Sequence, residues 1–169
     1  MLVKPCVVRL EDGWLDDSIM KTIVVAVDFS NATPRVLKEA KLHAQSHKAQ
    51  MRLIHVIEPE PSYTAYGFTP NEFPALHEYQ NQAKRRACDK LYELAKEASV
   101  GAPDASAFVA EGSPLRCIEE YVEESKADLV VLGSHGHGAI ASLLLGSVAE
   151  GMVRRAKVPT LVVPAPPED

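Results

Sequence analysis

The apolar residues of this chain follow two alternating patterns. Short runs that are apolar almost throughout and rich in β-branched residues cover residues 22–27, 51–57, 106–110, 128–132 and 160–163. Such runs are typical of strands that are buried on both faces between two layers of helices, as in a parallel sheet. The pattern therefore predicts five parallel strands.

The segments between these runs carry apolar residues at the three-to-four-residue spacing of amphipathic helices. The first helix is predicted to begin at Thr33-Pro34, with Thr33 as its N-cap, and the third at Ser113-Pro114. The second is predicted from about Phe73 to Ala98. The fourth is predicted to begin near Ser147, which has the spacing of a capping box with Glu150. The inward face of this fourth helix is expected to consist of Val148, Met152, Val153 and Ala156.

Regular alternation of strand and helix predicts an α/β domain. Right-handed crossovers then give a single doubly wound open sheet with helices on both faces. The domain is expected over residues 20–165, with a short tail at 166–169. Residues 1–19 fit no part of the pattern and are an added edge strand, a disordered arm or an extension without a role. The irregular segment 58–74 is either a lid or partner contact, or a mobile surface loop.

Composition and charge narrow the class of protein. The 169 residues are 46% hydrophobic and 24% charged, which fits one ordinary globular domain. A net charge of −5 argues against a nucleic-acid partner, because no basic stripe is available to neutralise phosphates. The basic run Lys84-Arg85-Arg86 lies among helix formers with acids nearby, so we interpret it as a solvated helix face.

Cysteines and hydropathy bear on the compartment. The three cysteines are far apart, which favours a reducing cytosol over a disulfide framework or a zinc site. No apolar run reaches the roughly 18 residues of a membrane span, and charges interrupt residues 1–20 where a signal peptide would need an apolar core. The sequence predicts a cytoplasmic protein with no membrane partner.

Glycines cluster directly after the fourth predicted strand. Gly133, Gly136 and Gly138 surround two histidines, and Gly146-Ser147 precedes the fourth predicted helix. In open α/β sheets, ligands bind beyond the carboxyl ends of the strands. Glycines let backbone N–H groups approach an anion, and a helix N-terminus adds free N–H donors with a partial positive charge. These features predict a site for a polyphosphate.

Several separated motifs resemble those of the universal stress protein family. The spacing of Gly133, Gly136 and Gly146-Ser147 is similar to the family's ATP-binding signature. The segment 21–30, the dipeptide His55-Val56 and the segment 158–164 resemble its first, second and last strands. The resemblance covers about residues 20–165 and includes the whole glycine signature, which implies the ATP-binding branch of the family.

The resemblance implies a strand order and a set of binding residues. The implied order, 3-2-1-4-5, makes strands one and four neighbours, so that Asp28 faces Gly133 where the order reverses. Asp28 and Val56 would border the adenine and ribose, and the glycines with Ser147 would wrap the phosphates. Asp28 and Ser147 also have a simpler interpretation as helix caps. The full set expected at the nucleotide comprises Ala26, Asp28, Val56, Leu132, Gly133, His135, Gly136, Gly146, Ser147 and Val148.

The two loop histidines raise the question of a metal. His135 and His137 share one loop and have no evident third ligand nearby in sequence, whereas a structural zinc site needs four ligands. We therefore expect no metal site made by the protein alone. Mg²⁺ or Mn²⁺ is expected to accompany ATP, because such an ion offsets phosphate charge and needs few protein ligands.

The resemblance implies a nucleotide-dependent stress sensor or regulator with little or slow hydrolysis. The sequence offers no evident general base, arginine finger or magnesium-binding carboxylate pair, which efficient phosphoryl transfer needs. Two alternatives stay open: a slow ATPase or phosphotransferase using Asp28 or His135, and a scaffold that binds another adenine nucleotide such as AMP. In the implied strand order the apolar run 160–163 is an edge strand, and both this edge and the family resemblance predict a homodimer through it.

Overall fold

A computed structural model of the chain describes residues 20–58, 74–100, 104–136, 145–155 and 157–166. The predicted extension 1–19, almost all of the segment 58–74, and His137 with Gly138 lie outside the described residues. Every strand lies within one residue of its predicted range. In chain order the elements are β1 (Thr22–Ala26), α1 (Thr33–His47), β2 (Gln50–Ile57), α2 (Pro74–Ser99), β3 (Ala105–Glu111), α3 (Pro114–Ser125), β4 (Leu129–Gly133), α4 (Ser147–Arg155) and β5 (Thr160–Val163).

The strands form one parallel sheet in the order β3-β2-β1-β4-β5, which confirms the predicted topology. The central strand β1 pairs on both sides, with Ile23 opposite Met51 of β2 and Leu129 of β4. The order reverses between β1 and β4. The carboxyl ends of these two strands therefore open a crevice of the kind in which doubly wound proteins bind ligands.

Alternate residues of each strand supply two separate cores. On one face Ile23, Val25 and Leu53 pack in a cluster with residues of α1 and α2. On the other face Val24 and Ile54 pack with residues of α3 and α4. Because the side chains of a strand point alternately to its two faces, strands covered on both faces need apolar residues at every position. This requirement explains the continuous apolar runs of the sequence.

Two predicted helix caps are wrong by one residue. Ala32 occupies the N-cap of α1 and has no side-chain cap, while Thr33 is already helical. The N–H of Glu150 donates to the carbonyl of Gly146, so Gly146 takes the cap position of α4 and Ser147 is its first helical residue. Ser113 does occupy the predicted N-cap of α3, although its side chain makes no capping hydrogen bond. Proline and glycine thus start these helices without help from a hydroxyl.

The inward face of α4 also differs from the prediction. Ala149 and Met152 are buried, whereas Val153 is 57% exposed. Successive helical residues are turned by about 100°, so Val153 lies one turn after Ala149 but about 100° from Met152, at the edge of the buried face and largely open to solvent. Ala156, the last residue of the predicted face, lies outside the described residues.

Helix α2 is much longer than the strands it connects. Its 26 residues span about 39 Å, against about 26 Å for the 8 residues of β2. A crossover helix runs antiparallel to its strands, so about the N-terminal third of α2 extends beyond the carboxyl edge of the sheet. Its C-terminal half buries Leu91, Ala95 and Ala98 against the sheet. Over the described part of the chain, none of the helices is both long and apolar enough to cross a membrane.

Candidate functional site

A cleft of about 910 Å³ lies at the carboxyl edge of the sheet, at the point where the strand order reverses. Its walls come from the ends of β1, β2 and β4, the first turns of α1, α3 and α4, and the middle of α2. Every residue that the sequence predicts at the nucleotide lines this one cleft. These residues are Ala26, Asp28, Val56, Leu132, Gly133, His135, Gly136, Gly146, Ser147 and Val148.

Gly133 and Gly146 are needed because backbone segments of the cleft approach each other closely there, and not because these glycines adopt a positive φ. Among the described glycines only Gly112 has a positive φ. A Cβ on Gly133 would lie 3.2 Å from the carbonyl oxygen of His135, and one on Gly146 would lie 3.3 Å from that of Ser134. Both distances are tighter than ordinary carbon–oxygen contacts. A side chain at either position would crowd the backbone of the loop, so the two glycines allow the backbone to pack closely at this wall of the cleft.

Ser134 fastens the glycine loop to the end of the sheet. It is 8% exposed, and its N–H donates to the carbonyl of Val163 at 2.8 Å. Its hydroxyl accepts the N–H of Ala165 at 3.1 Å and lies 3.0 Å from Nδ1 of His135. Its carbonyl accepts the N–H of Gly146 at 2.8 Å. One buried serine therefore ties both ends of the loop to β5, and the sequence prediction did not include it.

The start of α4 supplies the free donors of the site. The N–H of Gly146 is taken by Ser134, so this predicted residue contributes space and not a donor. The N–H groups of Ser147, Val148 and Ala149 precede the first intrahelical bond, which runs from Glu150 to Gly146, and they donate to no described residue. Such groups, at the positive end of a helix dipole, favour an anion.

Asp28 presents its two carboxylate oxygens to different surroundings. Oδ1 accepts the N–H of Ser30 at 3.0 Å and the Thr33 hydroxyl at 3.5 Å, which ties the end of β1 to the first turn of α1. Oδ2 is buried and has no hydrogen-bond partner in the described structure. A Cβ on Gly136 would come within 3.0 Å of it. The carboxylate is thus held by one oxygen and directs the other at the glycine loop.

An aromatic pair with a cation above it was missed by the sequence analysis. Phe29, directly after Asp28, has a φ of 61°, a left-handed conformation that is uncommon for a bulky residue. Its ring lies 4.2 Å from that of His55, and Lys90 Nζ lies 4.5 Å from its centroid. Nδ1 of His55 lies 2.9 Å from the carbonyl oxygen of Val27, so Nδ1 carries a proton and donates it. These side chains form the wall of the cleft beneath α2.

The three residues of the basic run of α2, Lys84-Arg85-Arg86, have different surroundings. Lys84 forms an exposed ion pair with Glu111, whose hydrogen bond and charge raise the pKa of this lysine. Arg85 is exposed and does not line the cleft. Arg86 is exposed as well, as expected for a solvated face, but it also lines the cleft, which the sequence analysis did not predict. The available signal was its position, since Ala83, Arg86, Ala87 and Lys90 lie on one face of the helix.

The described residues contain no group of three or more histidine, cysteine, aspartate or glutamate side chains arranged to hold a metal ion. His135 lines the cleft beside Ser134, and His137 lies outside the described residues.

Fold and cleft together define a doubly wound α/β protein with an anion-suited crevice at its topological switch point. The chain belongs to the universal stress protein family, whose model matches residues 20–164. A universal stress protein of Thermus aquaticus is 33% identical over 147 residues, which cover 86% of this chain and 99% of the relative.

Solved structures show the same relationship. Universal stress protein UspA from Lactobacillus plantarum superposes with a TM-score of 0.75 at 26% identity, covering 86% of this chain and 99% of that one. Another universal stress protein, solved in complex with cAMP, has a TM-score of 0.61 at 26% identity and covers 88% and 100% of the two chains.

Proposed function

We propose that this protein binds ATP in the cleft and acts as a nucleotide-dependent stress sensor or regulator in the cytoplasm. The base would occupy the apolar part of the cleft beside Val56 and Leu132, the ribose would lie at Asp28, and the phosphates would follow the glycine loop to the start of α4. The cAMP complex of a related structure supports an adenine nucleotide as the ligand class.

The observation that carries this proposal is the unpaired Oδ2 of Asp28. A buried carboxylate oxygen without a donor is costly, and burial of such a group is normally compensated by a partner. The oxygen faces the glycine loop, where it can accept a hydrogen bond from a hydroxyl group of a bound sugar. The three free N–H groups of α4 provide the matching donors for phosphate oxygens.

Magnesium or manganese is proposed to enter with the nucleotide. With no three-residue ligand cluster in the described part of the chain, the phosphates themselves would supply most of the oxygens around such an ion. Bound in this way, the ion would offset phosphate charge. Asp28 is the carboxylate of the glycine-loop region that would come nearest to it.

Two other functions use the same cleft. A slow ATPase or phosphotransferase would use Asp28 or His135 on the bound phosphates, and steady turnover without a burst of product would accompany it. A scaffold for another adenine nucleotide would prefer AMP or a related ligand over ATP. The features for a phosphate chain favour ATP over AMP, and the regulator is preferred over the enzyme because the sequence offers no evident general base or arginine finger for efficient phosphoryl transfer.

The test is to identify and then displace the ligand. Mass spectrometry of the nucleotide released from the gently denatured protein should detect ATP, and calorimetry should measure its affinity. Gly146→Val should lower this affinity at least about tenfold, because the branched side chain would fill the approach to the loop near Ser134. Val153→Thr, on the exposed face of the same helix, is the control and should bind as the parent does. Equal ATP affinity in the Gly146 variant would reject the site.

A further inference from the structure

The two walls of the cleft, on opposite sides of the sheet edge, differ in polarity and charge. On the α3 and α4 side, Ile54, Val56 and Leu132 belong to one apolar cluster with Ile118 and Val148, and all of them line the cleft. On the opposite side, α2 contributes two cations, Arg86 and Lys90. A ligand with an apolar end and an anionic end therefore has one orientation that suits both walls.

The two cations of the cleft differ from Lys84 and Lys96 in having no carboxylate partner among the described residues, a property that they share with Arg85. Lys84 is paired with Glu111 and Lys96 with Glu93. Arg86 and Lys90 form no ion pair with any residue that the structure describes. Two like charges four residues apart destabilise a helix slightly. Among the described residues that line the cleft, Asp28 and Glu58 are the carboxylates that offset their combined charge, while free N–H groups add positive potential at α4.

The position of the pair follows from the length of α2. The pair lies near the middle of α2, where the helix passes the carboxyl edge of the sheet, whereas α4 begins on the other face of the same edge. A phosphate chain between them would be contacted from both sides: by N–H groups of α4 and by side-chain cations of α2. Lys90 Nζ lies over the ring of Phe29, which holds this cation against the wall of the cleft at the end of β1.

We propose that Arg86 and Lys90 bind the terminal phosphates of the nucleotide and make the site selective for nucleoside triphosphates over monophosphates. This inference rests on the proposed nucleotide site. A guanidinium forms two parallel hydrogen bonds to phosphate oxygens, and an ammonium on a flexible stem acts as a movable point charge. Removal of either cation should therefore weaken the binding of a ligand more when more of its phosphates extend beyond the glycine loop.

The experiment measures affinities of ATP, ADP and AMP by calorimetry for the full chain and for Arg86→Gln and Lys90→Gln. Each variant should bind ATP about tenfold more weakly and AMP within about twofold of the parent. Arg85→Gln is the matched control, since it removes the same charge from the neighbouring exposed position of the same helix. It should leave all affinities within about twofold, and Arg86→Lys should retain part of the ATP affinity.

A second anionic ligand tests whether the cations bind a phosphate at the end of the phosphate chain or a phosphate on the ribose. Adenosine 3′,5′-bisphosphate places a phosphate on the ribose instead of at the end of the chain. If the variants weaken this ligand more than ATP, the cations serve a ribose phosphate and the inference is overturned. Equal losses for AMP and ATP, or losses matched by Arg85→Gln, overturn it as well. In those cases the parent still binds nucleotide and the proposed function stands. A parent that binds none of the ligands would reject both.

Discussion

At the scale of single residues, the Asp28 carboxylate has a structural role through one oxygen, and we propose a binding role for the other. Oδ1 holds the turn into α1, and Oδ2 is left for a ligand. Asp28→Asn preserves an acceptor for Ser30 but replaces the other oxygen with a donor. We expect ATP affinity to fall roughly ten- to a hundredfold, because a hydrogen bond to a charged acceptor contributes about 1.5–3 kcal/mol. Thermal melting should remain close to that of the parent.

Deoxynucleotides test the same contact from the ligand side. If Oδ2 accepts a ribose hydroxyl, the parent should bind 2′-deoxy-ATP or 3′-deoxy-ATP more weakly than ATP, and Asp28→Asn should lose this discrimination. The two changes remove the same interaction, so their combined effect should be smaller than the sum of the separate effects. A parent that binds ATP and both deoxy forms equally would contradict a ribose contact at Asp28.

At the scale of elements, the turn from β3 into α3 depends on a glycine that the sequence analysis did not single out. Gly112 has a φ of +144°, and its N–H donates to the carbonyl of Ile57 at 3.0 Å. A Cβ there would lie 2.9 Å from Sγ of Cys117. Gly112→Ala should lower the free energy of unfolding by about 1–3 kcal/mol, measured by urea denaturation, because the conformation is strained for any L side chain.

A second substitution separates strain from crowding at this turn. Cys117→Ala removes the sulfur that the new methyl group would meet but leaves the backbone conformation unchanged. The double variant should therefore recover only part of the lost stability. Full recovery would mean that crowding by Cys117, and not the backbone, explains the requirement for glycine.

The elements themselves were predictable from the sequence because burial on both faces leaves a clear pattern. The continuous apolar runs located the strands, and the glycine spacing with the family resemblance located the loop beside Asp28. Other features depend on contacts between distant segments, which periodicity does not encode. Three features follow from how α2, α4 and the sheet edge meet. The Gly146 N–H is bound to Ser134, Phe29 is left-handed and Arg86 faces the cleft.

At the scale of the whole molecule, the sheet is complete within the described part of the chain without residues 1–19. β1 is the central strand and begins at Thr22, and its register on both sides is filled by β2 and β4. A chain that begins at Met20 should therefore melt cooperatively and bind ATP with the affinity of the full chain. Calorimetry and thermal melting of both forms provide the comparison. Loss of a cooperative transition in the shorter form would show that the first residues belong to the fold.

The strand β5 lies at one edge of the sheet. Its bonds to β4 include those that the carbonyls of Pro159 and Val163 accept. In a parallel ladder alternate residues face the same neighbour, so Thr160 and Val162 direct their N–H and C=O groups outward. The edge is apolar and short, and α4 beside it exposes Val153. We propose that two copies pair here antiparallel across a two-fold axis to form a continuous sheet.

The proposed pairing should be sensitive to the backbone of β5 more than to its side chains. Val162→Pro removes an outward N–H, and proline is tolerated on an edge strand when that N–H does not bond within the sheet. Val162→Ala is the matched control, since it loses similar packing against α4 but keeps the N–H. Light scattering should therefore give a dimer for the parent and for Val162→Ala, and a monomer for Val162→Pro. A monomeric parent at tens of micromolar, or a dimer that survives the proline, would exclude β5 as the interface.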